Sequence, residues 1–272
     1  MKKPAILDER THVLFNLEVA QDFYLMRLQS PCIAVEAVPG QFVQVRVSNL
    51  SSPFLRIPLS ICCSDREAGT VDLLYEDMGP KSHFLSQLDP GSEVSCLGPL
   101  GHGFSALSVD RRSVLVGGGI GVPPLLFMAD VLQKQGHRVT LLAGARTAAK
   151  HLPDSMFYPA SQKLHKATDD GSLGHHGLVT DLLRQELEED GQCVVYTCGP
   201  HAMMAAVAAV CRDYGIPCQA SLEEYMACGF GVCVGCVVEV SPPGDEPAVS
   251  PYMQYSRICV DGPVYDAHRV RW

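Results

Sequence analysis

Between residues 11 and 107, apolar and polar positions alternate in short runs. LFNLEVA, FYLMRLQ, FVQVRVS and TVDLLYE alternate or are β-rich, as strands with one buried face do. Turn-forming clusters such as VPG, EAG and DPG separate them. This spacing predicts a small antiparallel barrel. From residue 112 the pattern changes. RSVLVGGG is a compact apolar strand running into glycines, and VPPLLFMADVLQKQG has helical periodicity up to Gly136. HRVTLLAGAR and QKLHKAT read as strands, GLVTDLLRQELEEDG as a helix closed by Gly191, and CVVYTCGP as a strand entering a turn. HAMMAAVAAVCRDYG reads as a further helix. Strands alternating with helices predict a doubly wound parallel sheet. Residues 216–272 contain no long helical pattern, hold five cysteines and include the loop SPPGDEPAVSP, for which the sequence offers no role. The expected organisation is β + α/β: a barrel over 1–108, an α/β unit over 109–215 and a small appended module over 216–272.

Composition narrows the function. The chain of 272 residues is 47% hydrophobic and 19% charged, which suits a globular protein of about two domains. A net charge of −9 argues against a nucleic-acid binder, which needs a basic face. The opening MKKPAILDER places charges where a signal peptide needs an apolar run. No uninterrupted apolar stretch reaches the ~18 residues of a membrane span. A cytoplasmic, reducing setting is expected, where twelve cysteines point to metal binding before disulfides.

Four of those cysteines have a specific spacing. ACGFGVCVGCVVEV places Cys228, Cys233 and Cys236 as C-x4-C-x2-C, and Cys259 follows in RICVDG, read as a short strand. Plant-type [2Fe–2S] sites use this spacing. Gly229, Gly231 and Gly235 let such a loop wrap a cluster and aim N–H groups at its sulfurs. Zinc is the rival metal, although zinc ribbons favour two C-x2-C pairs and only one is present. Four buried free cysteines are the bland alternative. Cys32, Cys62, Cys63, Cys96, Cys193, Cys211 and Cys218 read as ordinary thiols. A one-electron centre implies a flavin partner, because nicotinamide alone exchanges electron pairs.

Candidate flavin and nicotinamide elements lie upstream. Arg56-Ile57-Pro58-Leu59-Ser60 reads as the end of a barrel strand, with Arg56 suited to a diphosphate. Met78-Gly79-Pro80-Lys81-Ser82, followed by Leu85, and GPLGHGF are the second and third elements. Gly117, Gly118, Gly119, Ile120 and Gly121 lie between a strand and a helix that opens on Pro123 and Pro124. Glycine there admits a cofactor against the backbone near the positive helix end. The run is not G-x-G-x-x-G, and a tight turn without a ligand is the alternative. Asp169 and Asp170 follow the strand QKLHKAT. They can bond ribose hydroxyls and repel a 2′-phosphate, favouring NAD over NADP, or they form a plain Asp-Gly turn.

The order R-x-P-L-S, G-x-x-S/T-x-x-L, GPLG-x-GF, VGGGIGVPPLL and a CGP strand end resembles ferredoxin-reductase-like flavoproteins. With the terminal cysteines added, the chain from its first strand to RICVDGPVY resembles the electron-transfer subunit of class 1B dihydroorotate dehydrogenases. The resemblance implies an FAD-binding barrel, an NAD-binding unit and a [2Fe–2S] module. It implies that Arg56, Pro58, Leu59 and Ser60, with Leu74 and Tyr75, hold FAD, and that Gly79 and Ser82 meet its phosphates, with Lys81 between them counted among the cofactor-binding residues. It places Cys198 of the Cys198-Gly199-Pro200 turn beside the nicotinamide and flavin as the catalytic contact. It also implies a separate FMN-containing catalytic subunit that oxidises dihydroorotate in pyrimidine biosynthesis, in a heterotetramer with two copies of each chain. Electrons then pass singly through the cluster to FAD and on to NAD⁺. One departure is Lys81, where the family has a second glycine: it adds charge near the diphosphate or fills space that glycine leaves. Two further readings remain: a subunit of an NADH-dependent ferredoxin:NADP⁺ oxidoreductase or sulfide dehydrogenase, some of which carry Asp for a cluster cysteine, and a zinc-bound structural module.

Overall fold

A computed structural model describes residues 6–47, 54–106, 111–157, 161–241 and 254–272. Most of the loop SPPGDEPAVSP lies outside these described residues. The first half contains β1 (Leu7–Ala20), β2 (Phe23–Gln29), α1 (Pro31–Glu36), β3 (Phe42–Arg46), β4 (Ile57–Asp65), β5 (Thr70–Glu76), α2 (Pro80–Ser86) and β6 (Glu93–Leu100). The strands close into an antiparallel barrel in the order β1-β2-β5-β4-β3-β6. Alternation puts Val43, Val45, Leu73 and Tyr75 into its interior, while Phe42 and Leu74 face outward against the rest of the protein.

The next segment contains β7 (Arg112–Gly118), α3 (Pro123–Lys134), β8 (Val139–Ala145), β9 (Lys163–Thr168), β10 (His175–His176), α4 (Val179–Glu189), β11 (Cys193–Cys198), α5 (His201–Asp213) and β12 (Cys218–Ser221). The chain ends in β13 (Val237–Glu239), β14 (Tyr255–Arg257), α6 (Ile258–Asp261) and β15 (Val264–Asp266). The large sheet runs β10-β9-β8-β7-β11-β12-β15, parallel except for β15. The doubly wound expectation holds, and the sheet continues past residue 215 to take in β12 and β15. Side chains alternate across it. Val114, Val116 and Val195 face α4 and α5, whereas Leu115, Val194 and Tyr196 face α3. Helix α3 is buried on nearly all sides because barrel residues Phe23, Cys62 and Leu74 cover its other face.

Two local expectations need correction. Arg56–Ser60 does not end a strand; it leads into β4. RICVDG is not a strand throughout, because the chain turns into α6 and Cys259 sits on that single helical turn. Asp261 accepts the Arg257 backbone N–H at 2.9 Å and closes the turn.

At the opposite end of the sheet from the glycine turns, Arg112 and Glu186 form a buried ion pair, with side chains 10% and 5% exposed. Arg112 Nη2 also donates to the carbonyls of Glu186 (2.8 Å) and Asp190 (2.9 Å), tying the end of α4 to β7. Burial opposes ionisation of Glu186, but Lys163 and Arg112 outweigh it and hold the carboxyl below its usual range. Its contribution is therefore present above the unfolded carboxylate pKa and lost as pH falls through the lower folded value. Arg112→Met should leave Glu186 paired with Lys163 and cost about 1–3 kcal/mol in urea unfolding, whereas Arg112→Met with Glu186→Leu should recover most of it. A single-variant loss below ~1 kcal/mol would show that the pair is not a stabilising lock.

Candidate functional site

The predicted flavin residues meet at a split in the barrel wall. Strand β4 pairs with β5 only from Ile61 onward, while residues 57–60 pair with β3 alone. Beyond Leu73, β5 pairs with β2. Main chain at Pro58, Leu59 and Ser60 thus faces main chain at Leu74 and Tyr75 across an opening. Leu74 and Tyr75 are buried, and the Tyr75 hydroxyl donates to Asn16 Oδ1 at 2.9 Å inside the barrel. Any contact they offer at the split is through the backbone.

Helix α2 begins at one end of this opening. A Cβ added to Gly79 would meet nothing within 4 Å, so a ligand has room against that backbone. Ser82 is turned inward: its hydroxyl accepts the N–H groups of Met78 and Gly79, each at 3.0 Å, as a helix cap does. Lys81 Nζ reaches the Arg56 carbonyl at 3.1 Å. The Arg56 guanidinium does not join this group. It donates to the carbonyls of Gln44 and Ser95 and pairs with Asp8 at 3.0 Å. Burial opposes ionisation of Asp8, but the Ser95 hydroxyl and Arg56 hold it below its usual range. Lys81, not Arg56, is the cation beside Gly79. GPLGHGF forms the seam between barrel and C-terminal module, where the His102 N–H donates to the Gly262 carbonyl at 2.6 Å.

The glycine turn after β7 and the turn after β11 touch directly. A Cβ on Gly121 would lie 2.4 Å from Gly199 Cα, so only glycine permits this approach. Gly119 has φ +53° with open space where its Cβ would be. Gly117 and Gly118 back onto Val122 and onto Met203 and Pro200. Asp169 and Asp170 are exposed in the turn after β9. The Ser172 hydroxyl donates to Asp170 at 2.5 Å, and with the Ser172 N–H it lowers that carboxyl. Asp170 is thereby engaged in shaping the turn, and Asp169 presents its carboxylate to solvent.

Cys198 is fully buried at the end of β11. Burial, then the neighbouring Glu223, pushes its thiol well above the ordinary range. The thiol is thereby held neutral. The sequence reading missed Glu223. It follows β12, whose Ser221 pairs with Cys198, and its Oε1 lies 4.0 Å from Cys198 Sγ. The carboxyl opens into a pocket of roughly 200 Å³ shared with His201, Leu222 and Val238. Solvent reaches it, but the crowding of protein around it pushes its pKa up to about 7. The signal available in sequence was an acidic residue directly after the strand that neighbours CVVYTC.

The four cysteines converge as two pairs. The Cys233 N–H lies 3.4 Å from Cys228 Sγ. Burial opposes ionisation of Cys228, but N–H groups of Cys233, Phe230 and Val232 prevail and bring its pKa to about 6. Cys259, buried beside Cys236, is pushed up to about 12 by that burial and by the Cys236 thiol, with the Gly231 N–H opposing. Val234 holds φ +58° within this loop, a strained conformation for a β-branched residue. Among the described residues, no three His, Cys, Asp or Glu side chains close on one point. A donor set split two and two suits a pair of irons better than one zinc. Tyr225, Phe230, Val232 and Val234 form an exposed apolar rim around the loop.

Comparison with known proteins identifies the relatives of this chain. Residues 223–271 match the iron–sulfur cluster binding domain of dihydroorotate dehydrogenase B, and residues 115–209 match an oxidoreductase NAD-binding domain. The electron transfer subunit of dihydroorotate dehydrogenase B (NAD(+)) from Geobacillus kaustophilus is 41% identical over 265 residues, covering 96% of this chain and 98% of that protein. The protein of the same name from Desulforamulus reducens is 37% identical, covering 96% and 97%. A solved NADH-dependent reduced ferredoxin-NADP oxidoreductase superposes with TM-score 0.84 at 30% identity, covering 96% of this chain and 90% of that one. A ferredoxin reductase of carbazole 1,9a-dioxygenase shares the fold at TM-score 0.68 and 21% identity, over 78% and 67%. This chain belongs to the family of dihydroorotate dehydrogenase B electron-transfer subunits.

Proposed function

We propose that this chain carries electrons from the FMN of a separate dihydroorotate dehydrogenase catalytic subunit to NAD⁺, by way of a [2Fe–2S] cluster and FAD. The observation that carries this reading is the two-and-two convergence of Cys228, Cys233, Cys236 and Cys259 in a loop whose N–H groups already favour a thiolate. When bound, the cluster supplies one-electron transfer and the flavin exchanges single electrons for hydride. The four thiols hold the cluster. Main chain at Pro58–Ser60 and Leu74–Tyr75 holds the flavin, and Gly79 with Lys81 meets its phosphates. Gly117–Gly121 and Cys198–Pro200 form the floor for the nicotinamide. Asp169 bonds the ribose and repels a 2′-phosphate. The apolar rim at Tyr225, Phe230, Val232 and Val234 seats the catalytic subunit, with two copies of each chain in the assembly. The solved ferredoxin-NADP oxidoreductase favours a second reading, a subunit of that enzyme type. The higher identity to the dihydroorotate dehydrogenase relatives, and the retention of four cysteines, support the first.

Purified anaerobically with its partner, the chain should contain about two irons per FAD. Dihydroorotate should then reduce NAD⁺ in the complex; NADP⁺ reduction with ferredoxin instead would support the second reading. Cys259→Ala should abolish the [2Fe–2S] spectrum, and its retention would identify another fourth ligand.

Asp169→Asn should raise KM for NADH about fivefold, on the order of 1 kcal/mol for a lost charge-assisted hydrogen bond, and improve the use of NADPH. Unchanged selectivity would remove Asp169 from the ribose site.

Glu223→Gln should remove an ionisation near pH 7 from the pH profile of NADH oxidation. The folded carboxyl has a raised pKa, so it destabilises the protein as pH rises from the unfolded value through about 7. Glu223→Gln should therefore raise Tm at pH 8 and leave it unchanged at pH 4. Equal shifts at both pH values would mean that the carboxyl is not perturbed.

A further inference from the structure

Gln44 is a buried carboxamide of the barrel that faces the cysteine module. Along β3, Val43 and Val45 point into the barrel, whereas Phe42 packs outward with Cys236, Ile258 and Cys259. Gln44 shares that outward face, and its register partner Leu97 packs against the same group. Its side chain is fully buried. Neither Oε1 nor Nε2 has a hydrogen-bond partner among the described residues. The amide is pressed on the cysteine loop: a Cβ on Gly229 would lie 2.6 Å from Gln44 Cγ and 3.0 Å from Nε2. Gly229 directly follows Cys228.

A carboxamide in an apolar wall costs free energy unless something accepts its N–H. Leucine or methionine would fill this space with no such cost. The backbone of Gln44 is already fixed on both sides, since its carbonyl accepts from Arg56 at 3.1 Å and its strand pairs with β4 and β6. The barrel thus fixes the backbone from which the side chain reaches the loop.

We propose that Gln44 donates its Nε2–H to the sulfur of the [2Fe–2S] group held by Cys228 and its neighbours, and so raises the reduction potential of that group. The inference rests on the cluster assignment above. A donor at sulfur stabilises the extra negative charge of the reduced state, so its loss favours the oxidised one. The barrel that binds the flavin thereby also sets the potential of the centre that exchanges electrons with it.

The test uses the full chain purified with its partner. Gln44→Met keeps the volume and removes the donor. It should retain iron and visible absorption and shift the reduced-to-oxidised ratio at fixed ambient potential about tenfold toward oxidised, ~59 mV lower for a one-electron couple. Gln44→Leu, which also removes the donor, should shift it in the same direction and by a similar amount. A potential unchanged in a Gln44→Met protein with full iron content overturns the proposal. If both variants lose the cluster, pulsed EPR of the reduced wild-type protein decides the matter. With glutamine labelled by ¹⁵N in the side chain only, a ¹⁵N coupling at the cluster supports the hydrogen bond, and its absence overturns it. A wild-type protein without iron would instead defeat the cluster assignment itself.

Discussion

A Cβ on Gly121 would fall 2.4 Å from Gly199 Cα and 2.5 Å from the Cys198 carbonyl carbon. The turns after β7 and β11 therefore meet backbone to backbone, and much of the site is fixed by that contact. Helix α3 starts two residues after Gly121 and carries the barrel on its far face through Phe23, Cys62 and Leu74. The barrel split is thus placed relative to Cys198 by one close approach and one buried helix. On the other side, β12 pairs with β11 and delivers Glu223 to the same point. No long side chain intervenes at the join, which leaves little rotamer freedom in the positions of the pieces.

Cysteine shows how far surroundings, not residue type, decide chemistry here. Cys198 and Cys228 carry the same side chain. Cys198 is enclosed by apolar strand ends with a carboxyl nearby, and both effects favour the neutral thiol. Cys228 sits in a loop whose N–H groups converge on its sulfur, and they outweigh the cost of burial. Cys259 is buried against a second thiol and resists ionisation. The same thiol is held neutral at two positions and drawn toward the thiolate at the third. The asymmetry between Cys228 and Cys259 follows from where each lies: one in a glycine-rich loop, the other on a short helical turn inside the core.

Short-range order was legible in the sequence. Alternation placed β2, β3 and β5, and helical period with terminal glycines placed α3, α4 and α5, because each signal lies within one element. The cysteine spacing and the two glycine turns were legible for the same reason. What escaped was set by contacts distant in sequence. The partners of Arg56 are one such case, since Asp8 and Ser95, brought up by β1 and β6, engage its guanidinium. RICVDG has the apolar character of a strand, yet Asp261 closes it into a turn. Glu223 and Gln44 belong to no motif. Each gains its character from a partner on another element, Cys198 for one and Gly229 for the other.

The C-terminal module is not a bead attached to a finished two-part protein. Strand β15 hydrogen-bonds to β12 and completes the sheet, while the Leu222 N–H donates to the Pro263 carbonyl at 2.9 Å. The His102 N–H binds the Gly262 carbonyl from the barrel side. Cys236 and Cys259 lie in the same apolar cluster as Val116, Val195 and Met204 of the large sheet and its helix. These are backbone ladders and core packing, which open only with substantial unfolding, unlike surface side-chain contacts. A hinged module would let the thiols drift relative to the barrel split. Building the module into the sheet edge and the barrel end instead fixes that separation, and a relay that passes electrons between fixed stations needs this rigidity more than it needs any single reactive side chain.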